Sequence, residues 1–347
     1  MLRINSKSLT AMAVGLGLLA ASAGVSAQTV TLRVHHFLPA ASPAQQELME
    51  PWAERVERDS DGRIDVQIFP SMQLGGSPGQ LYNQVRDGVV DIVWTLTGYT
   101  PGRFHILPVF ELPFMATTAE ATSQATTAFA LEHLQDELAD VHPLLVHVHA
   151  PGFFHTREKA VRSIADLDGM NIRAPTRPMT ATLELLGANP VGMPVPEVSQ
   201  SLSTGVIDGA VIPWEVARPL RIQEVVDHHT EFESERGLYT ATFLFLMNRG
   251  AYERLPEDLR QVIDDNSMMN IARDVGRAWD RAEGPGREAA VSHGNNIYQI
   301  SADEAKEWEE ATRPVIDEWI ADMNERGHDG EALYKTARDL IDRYASN

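Results

Sequence analysis

The sequence predicts an α/β protein with two lobes, each built on a mainly parallel sheet that helices flank. Two observations predict this class. Strand patterns alternate with helix patterns in two separate stretches, at about 32–94 and 170–212, and a β-α-β order favours parallel strands. In addition, the chain of 347 residues is long enough to bury two separate cores.

The first stretch starts two helices in the same way. Ser42-Pro43 and Ser77-Pro78 each place a capping residue before a proline, which is typical of the first turn of a helix. Pro51 lies inside the first of these helices, where we expect it to bend the helix. The elements expected here are a strand at 32–37, a helix at 42–62, a strand at 64–68, a helix from 77 and a strand at 89–94.

A helical region at about 119–139 and a strand at 144–149 lead to the second stretch. The elements expected in that stretch are a strand at 170–174, a helix at 179–186, a strand at 190–193, a helix at 196–203 and a strand at 206–212. A strand at 238–247 is expected to return to the first lobe. The chain after Leu255 is expected to be largely helical.

The N-terminus has the pattern of a secretory signal peptide. Arg3 and Lys7 form a short basic region, and an apolar stretch of small residues follows at about 9–24. Val25-Ser26-Ala27 then offers a cleavage site, so we expect residues 1–27 to be removed. The alternative is a membrane anchor, but the apolar run is short and is interrupted by glycines.

Composition excludes several classes of site. The chain has no cysteine, so disulfides, thiol nucleophiles and thiolate metal sites are excluded. Removal of residues 1–27, which hold two basic residues and no acidic one, takes the formal net charge from −20 to −22. So negative a protein is not expected to bind nucleic acid or anionic lipid, and an anionic ligand needs local positive charge.

One arginine stands out in the segment SIADLDGMNIRAP, residues 163–175. Met170, Ile172 and Ala174 alternate as a buried strand after an Asp-Gly turn, so Arg173 lies at the end of that strand. A half-buried guanidinium needs an anionic partner, because removing it from water costs several kcal/mol. The partner is either another side chain or a ligand carboxylate.

This segment resembles the hallmark segment of the DctP-type solute-binding proteins of TRAP (tripartite ATP-independent periplasmic) transporters. Further segments occur in the order of that family, at 62–64, 69–75, 87–92, 109–114, 186–191, 205–209 and 255–259. The resemblance implies a periplasmic binding protein fold whose chain crosses a hinge near 150, 237 and 277. Lobe 1 is then expected at 28–150 and 238–277, and lobe 2 at 151–237 and 278–347. A helix at about 256–282 is expected to span both.

The resemblance also implies roles for single residues. The family arginine at the position of Arg173 pairs with the ligand carboxylate, whereas Arg177 is either a surface residue or a second ligand contact. Ile212 stands where many relatives carry an asparagine that faces the ligand, so a sugar-acid ligand is not expected. Trp214 either lines the cleft or packs in the core.

Other candidates fall near the ends of predicted strands. Trp94 and Thr97 lie where relatives often place a polar ligand contact, and His36 ends the first strand. Phe153 or Phe154 stands where some relatives carry a second arginine. Aromatic walls around one polar anchor suit a binding site, although each of these side chains fits a core equally well.

His147 and His149 share one strand face and suggest a shared zinc ion, but no third ligand has convincing spacing. No H-E-x-x-H, phosphate-loop or G-x-G-x-x-G motif occurs. The letters G-x-S-x-G occur once, at 75–79, but no strand pattern leads directly into them as a nucleophile elbow requires, so an enzyme is not expected. No cofactor is implied. A zinc-capturing periplasmic protein and a secreted hydrolase with paired carboxylates remain as alternatives from other classes.

The sequence therefore predicts a receptor, expected to be monomeric, that closes on a small organic acid and delivers it to a TRAP-type membrane permease. A monocarboxylate with an apolar or aromatic body is favoured, and a keto or hydroxy acid fits this description. A C4-dicarboxylate is the alternative within the family. It would need a second cation, for which Arg177 or a histidine is the candidate.

Overall fold

The computed structural model describes residues 29–346, which form two sheets flanked by helices. This confirms the predicted α/β class. The predicted signal peptide, residues 1–27, lies outside the described residues. The strands are β1 (Val30–His36), β2 (Ile64–Phe69), β3 (Ile92–Leu96), β4 (Val141–Val148), β5 (Phe153–Thr156), β6 (Asn171–Ala174), β7 (Asn189–Gly192), β8 (Gly209–Ile212), β9 (His228–Phe232), β10 (Thr242–Asn248) and β11 (Asn296–Ile300).

The first sheet has the order β2-β1-β3-β10-β4, and all five of its strands were predicted. Strand β1 pairs in parallel with β2 and β3, whereas β10 pairs antiparallel with β3 and β4. Strand β10 follows the whole of β5–β9 in the chain. It thus returns to the first sheet, as expected from the sequence.

The second sheet has the order β11-β9-β5-β8-β6-β7. Strands β5, β9 and β11 were not predicted. In β5 and β9 the positions on one face carry the buried histidines His155 and His229, so the alternation of apolar and polar residues is lost. The ring nitrogens of these histidines lie 2.7 Å apart, and this contact lets the polar side chains be buried.

The helices are α1 (Glu50–Asp59), α2 (Leu81–Arg86), α3 (Ala119–His133), α4 (Arg177–Leu185), α5 (Val198–Thr204), α6 (Trp214–Ala217), α7 (Arg249–Glu253), α8 (Glu257–Asp265), α9 (Met269–His293), α10 (Ala302–Glu325) and α11 (Gly330–Ala345). A π-helical segment, Ala44–Met49, precedes α1. This segment continues into α1 without a break, so Pro51, the second residue of α1, lies inside a continuous helical run, as expected from the sequence. None of the helices between residues 29 and 346 is both long and apolar enough to cross a membrane.

The long helix predicted at about 256–282 is present as a bent helix that starts with α8 and continues to the end of α9. The bend falls at Met268, whose φ is 52°, between α8 and α9. Helix α9 has 25 residues and packs both on α3 and β4, beside the first sheet, and on α6, beside the second. A long helix that contacts both halves of the protein is therefore present, as predicted.

Two carboxylates of α9 hold the starts of other helices. Asp280 accepts hydrogen bonds from the first two N–H groups of α3 at 2.8 and 2.9 Å. Glu283 accepts from the first two N–H groups of α6 at 3.2 and 2.8 Å. These groups have no partner within their own helices, so α9 supplies it. Gly276 and Gly286 allow the close approach, since a Cβ at either would collide with the backbone of α3 or α6.

The chain passes between the sheets at 149–152 and again at 233–241. The two passages lie side by side, with the Gly152 N–H donating to the Tyr239 carbonyl at 2.8 Å. Gly237 packs against Pro151 so closely that a Cβ would overlap the proline ring. The exact bounds of the two lobes, including a crossing near 277, stay a prediction.

Candidate functional site

Arg173 lies at the end of β6 in the second sheet and is only 2% exposed. Its Nε donates to the Met193 carbonyl at 3.1 Å and its Nη1 to the Val211 carbonyl at 3.3 Å. Its Nη2 donates to the Tyr99 hydroxyl at 3.4 Å. All three acceptors are neutral, and no carboxylate among residues 29–346 forms an ion pair with this guanidinium. The internal salt bridge considered from the sequence is therefore not observed.

The pleat of the second sheet decides which candidates share a face with Arg173. Arg173 is opposite Ala210, and Ala210 is opposite His155, so their side chains project to one side. Phe153 and Ile212 lie two residues from these positions and are opposite each other, so they project to that side as well. The structure thus brings Arg173, Phe153 and Ile212 to one face of the sheet.

Phe154 lies on the other face. Its ring packs against Phe232 and Trp308, at centroid distances of 6.4 and 5.9 Å, in the core between the sheet and α10. The sequence candidate Phe154 is therefore wrong for a site at Arg173. Successive strand residues point to opposite sides, so Phe153 and Phe154 cannot both face the ligand.

An aromatic cluster lies next to Arg173. We define it by its members: Phe37, Trp94, Tyr99, His147, His149, Tyr239, Phe243 and Trp279. Trp94 is central, with ring centroids 5.0 Å from Phe37 and 4.4 Å from Phe243. Such stacked rings provide apolar walls with a defined geometry.

The charge of Arg173 affects the pKa of two members of the aromatic cluster, Tyr239 and His149. Burial raises the pKa of Tyr239 well above its usual range, and the nearby Arg173 charge partly opposes this rise. Burial lowers the pKa of His149 to about 3, and the Arg173 charge lowers it further. The Tyr99 hydroxyl is the group of the aromatic cluster that contacts the guanidinium directly.

The Tyr99 hydroxyl joins the two halves of the protein. Tyr99 follows β3 of the first sheet, and its hydroxyl accepts from Arg173 and, at 2.7 Å, from the Val195 N–H after β7 of the second sheet. Burial raises the pKa of Tyr99, so the hydroxyl keeps its proton. One neutral group from the first half therefore contacts both the candidate anchor and its neighbouring backbone.

His36 lies beside Trp94 in register across β1 and β3. Its Nε2 is 3.1 Å from the Gln45 side-chain oxygen, whereas its buried Nδ1 has no partner in the part of the chain that the structure describes. Burial lowers the pKa of His36 to about 4. The residue is thus a neutral imidazole with one free acceptor nitrogen.

The zinc hypothesis concerned His147 and His149, whose ring nitrogens are all engaged. His147 Nε2 accepts from the Trp94 indole at 2.9 Å, and His149 Nε2 accepts from the Ala241 N–H at 3.1 Å. Each Nδ1 contacts a backbone carbonyl. Across residues 29–346 no group of three or more His, Cys, Asp or Glu side chains could hold a metal ion.

Trp214 is buried against the histidines of the second sheet. Its indole N–H donates to Glu231 at 2.9 Å, and its ring lies 4.8 Å from His155 and 4.6 Å from His229. Its ring also lies 6.3 Å from Phe153. These partners lie on the sheet face that Arg173 shares, so Trp214 packs on that face, and both roles weighed from the sequence stay open.

Two buried carboxyls lie near the aromatic cluster. Glu111 accepts from the Thr97 hydroxyl at 2.7 Å and from the Thr242 N–H at 2.9 Å, and burial raises its pKa to about 7. The Thr97 hydroxyl is therefore occupied. Glu215 is 5% exposed, and burial, together with the charge of Glu283, raises its pKa well above the usual range.

A cavity of about 480 Å³ lies between the two halves and α10. Thr97, Tyr99 and Arg177 line it, whereas Arg173 does not. Arg177 is exposed at the first residue of α4. The cavity is thus next to the candidate anchor, since Tyr99 and Met193, which accept hydrogen bonds from Arg173, both line it.

Sequence reasoning missed Tyr99, Tyr239, Phe243, Trp279 and Glu215. Only the fold brings them to the aromatic cluster beside Arg173, since they lie in four separate segments of the chain. One signal was available for Tyr99. It follows the carboxyl end of a predicted central strand, the edge where ligands bind in open α/β sheets.

The model for the family described as bacterial extracellular solute-binding protein, family 7, matches residues 34–322. A TRAP solute-binding protein from Rhodoferax ferrireducens T118, solved with copurified benzoate, is 46% identical. It has a TM-score of 0.90, with 92% of this chain and 99% of that chain covered.

Two other solved TRAP solute-binding proteins are similar. One, from a marine metagenome, is specific for aromatic acid ligands and was co-crystallised with 3-hydroxybenzoate; it is 48% identical, with a TM-score of 0.89 and coverage of 91% of this chain and 99% of that chain. The other, from Bordetella bronchiseptica with bound (R)- and (S)-mandelate, is 29% identical, with a TM-score of 0.84 and coverage of 90% and 99%.

Proposed function

The chain belongs to the bacterial extracellular solute-binding proteins of family 7, and from this premise we propose that it is a periplasmic receptor for aromatic monocarboxylates. In this proposal Arg173 binds the carboxylate and the aromatic cluster holds the ring. The observation that carries the proposal is a guanidinium that is 2% exposed and has only neutral acceptors.

A carboxylate is the chemical partner that suits this guanidinium. A buried cation is costly unless an anion compensates it, and three neutral oxygens do so only in part. The planar guanidinium also presents paired N–H groups that match the two oxygens of a carboxylate. Arg173 therefore gains more from an anionic ligand than a solvated surface arginine would.

The body of the ligand is proposed to be aromatic because the walls beside Arg173 are aromatic. Trp94, Phe243 and Tyr239 offer ring faces and edges within the same buried region. The two relatives with nearly half of their residues identical were solved with benzoate and with 3-hydroxybenzoate. Both molecules combine one carboxylate with one ring, which supports this substrate class.

The C4-dicarboxylate alternative needs a second cation near Arg173. Arg177 is exposed on the wall of the neighbouring cavity. Burial lowers the pKa of His147 and of His149 to about 3, so both are neutral at pH 7. The two buried carboxyls near the aromatic cluster, those of Glu111 and Glu215, would repel a second carboxylate if ionised. These features favour a monocarboxylate.

Binding is proposed to be coupled to closure of the two lobes. The ligand shifts the equilibrium towards the closed form only by its greater affinity for that form. The hydrogen bonds from Arg173 and Val195 to Tyr99 require the lobes to be together. Exclusion of water by closure strengthens the ion pair with the ligand. The closed monomer is proposed to deliver its ligand to a TRAP-type permease in the membrane.

A ligand screen by thermal shift, followed by calorimetry, tests this function. Benzoate, 3-hydroxybenzoate and mandelate should raise the melting temperature and bind with one-to-one stoichiometry. Succinate, malate and zinc should have little effect, since the second carboxylate and the metal have no matching groups. Stabilisation by succinate without stabilisation by any aromatic acid would favour the C4-dicarboxylate alternative and refute the proposal.

A further inference from the structure

Trp279 of α9 is fully buried in the aromatic cluster, yet its indole N–H lacks a good hydrogen bond. Its ring lies 4.8 Å from His147 and 6.5 Å from Trp94. The Nε1 has no hydrogen-bond partner of regular geometry among the residues that the structure describes. A buried tryptophan usually finds a partner for this group, because an unpaired N–H in an apolar site costs free energy.

The carboxyl group of Glu215 is the polar group next to this indole. Glu215 is close enough for the Trp279 N–H to affect the pKa of its carboxyl, although the two do not form a well-aligned hydrogen bond. The backbone of Glu215 is fixed, since its N–H donates to Glu283 at 2.8 Å. Trp279 and Glu283 are four residues apart on α9 and so lie on one face of that helix.

Glu215 and Arg173 lie at the same aromatic cluster, Arg173 through its hydrogen bond to Tyr99 and Glu215 beside Trp279. Both act on the pKa of the Tyr239 hydroxyl, Arg173 lowering it and Glu215, like Glu111, raising it. Arg173 offers a cation, whereas Glu215 and Trp279 offer a carboxyl and an indole N–H. The rings of Phe243 and His147 connect the two ends, with His147 in contact with Trp279.

Burial, and after it the neighbouring Glu283, raises the pKa of the Glu215 carboxyl well above its usual range, which favours the neutral form. A neutral carboxyl group can both donate and accept a hydrogen bond, whereas an indole N–H only donates. Together they match a hydroxyl group, which accepts from one partner and donates to the other. A hydrogen atom at that place on a ligand ring would leave both protein groups unpaired.

We propose that Glu215 and Trp279 form a subsite that binds a hydroxyl group on the ring of an aromatic monocarboxylate. This inference rests on the proposed function and narrows its substrate class to hydroxylated aromatic acids. The Trp279 N–H donates to the hydroxyl oxygen, and the hydroxyl donates to the carbonyl oxygen of Glu215. A site built to pair a hydroxyl group discriminates strongly against the analogue that lacks it.

Calorimetry with benzoate, 3-hydroxybenzoate, 4-hydroxybenzoate and 3-hydroxyphenylacetate tests the subsite. In the wild type, at least one hydroxylated acid should bind about tenfold or more tightly than benzoate. In Glu215→Leu this preference should fall to about twofold or less while benzoate affinity is retained. Glu215→Gln keeps a hydrogen-bond donor and an acceptor, so it should retain part of the preference. This variant keeps the test informative if Glu215→Leu fails to fold.

Glu111→Gln is the matched control. Glu111 is another buried carboxyl with a raised pKa, but it is bonded to Thr97 and Thr242, so the preference should be unchanged in this variant. A wild-type preference that survives Glu215→Leu, or equal affinities for benzoate and all hydroxylated acids, would overturn the inference alone. Absence of binding by any aromatic acid would overturn the proposed function as well.

Each titration is repeated in the presence of EDTA. An unchanged preference supports direct pairing of the hydroxyl with Glu215. A preference that disappears with EDTA would overturn the inference, since Glu215 would then act by holding a cation.

Discussion

Replacement of Arg173 by alanine is the most direct test of the site. Removal of one partner of a buried charge pair costs about 2–5 kcal/mol of binding free energy. This range corresponds to a loss of roughly thirtyfold to several thousandfold in affinity. The guanidinium is 2% exposed, so solvent screens the pair weakly and the upper part of the range is expected. Isothermal titration calorimetry with benzoate or a hydroxybenzoate gives the value.

Folding should suffer much less than binding in the same variant. The ligand-free protein loses three hydrogen bonds to neutral acceptors, each worth about 0.5–1.5 kcal/mol, and leaves two carbonyls without this donor. It also no longer buries a cation without an anion, which offsets part of that loss. Denaturant unfolding of the ligand-free protein should therefore show a change of at most about 2 kcal/mol in the free energy of unfolding.

Two further variants sharpen the comparison. Arg173→Lys keeps the charge but loses the planar fork, so affinity should still fall by about tenfold or more. Arg177→Ala is the matched control, because this arginine is exposed only four residues away. Unchanged affinity in Arg173→Ala, or a larger loss in Arg177→Ala, would refute the reasoning and favour a site in the neighbouring cavity.

Three other substitutions or measurements test separate contacts. Tyr99→Phe removes the hydroxyl that accepts hydrogen bonds from Arg173 and Val195. The binding free energy of the ligand should weaken by about 1–3 kcal/mol, and small-angle scattering should show a more open form. Unchanged values would contradict a role of this hydroxyl in closure. Burial raises the pKa of Glu283 to about 8. Between pH 4.5 and 8 the folded state therefore binds more protons at this group than the unfolded state does. The free energy of unfolding should fall from pH 6.5 to 8 by up to about 1.4 kcal/mol per pH unit for this group. Histidines with lowered pKa values act below this window, so Glu283→Gln should reduce the slope, and an unchanged slope would contradict the assignment. Dialysis against zinc should leave no stoichiometric metal, because the ring nitrogens of His147 and His149 are engaged; retention of one zinc ion would revive the metal hypothesis.

Arg173 could be predicted from the sequence because the relevant signals are local. The alternation of Met170, Ile172 and Ala174 defines a buried strand, and the proline after it marks the strand end. The structure finds this arginine buried and without an anionic side chain as partner. Its role as a ligand contact stays a prediction, as do those of Trp94, Thr97, Ile212 and His36.

The sequence could not predict features that depend on register or on distant segments. Phe153 and Phe154 are adjacent, and only the pairing of β5 with β8 shows that Phe153 shares a face with Arg173. Strand β9 could not be recognised from the apolar pattern of the sequence, because its buried positions carry polar side chains. Tyr239 and Glu215 reach the site through the return of the chain and the packing of α6 on α9, which no local pattern encodes.

The two carboxylates of α9 bear on the order in which a ligand is captured. Asp280 and Glu283 are one helical turn apart, yet they hold helices from opposite halves, so we expect the pivot for opening to lie near this turn. Trp279 precedes this turn directly and is expected to move little, whereas Tyr99 and Val195 meet across the two halves. An aromatic acid should therefore engage ring first, and its charged end last. Hydrogen exchange can follow this sequence, with the amide of Glu215 slow in all states and that of Val195 slow only in the presence of ligand.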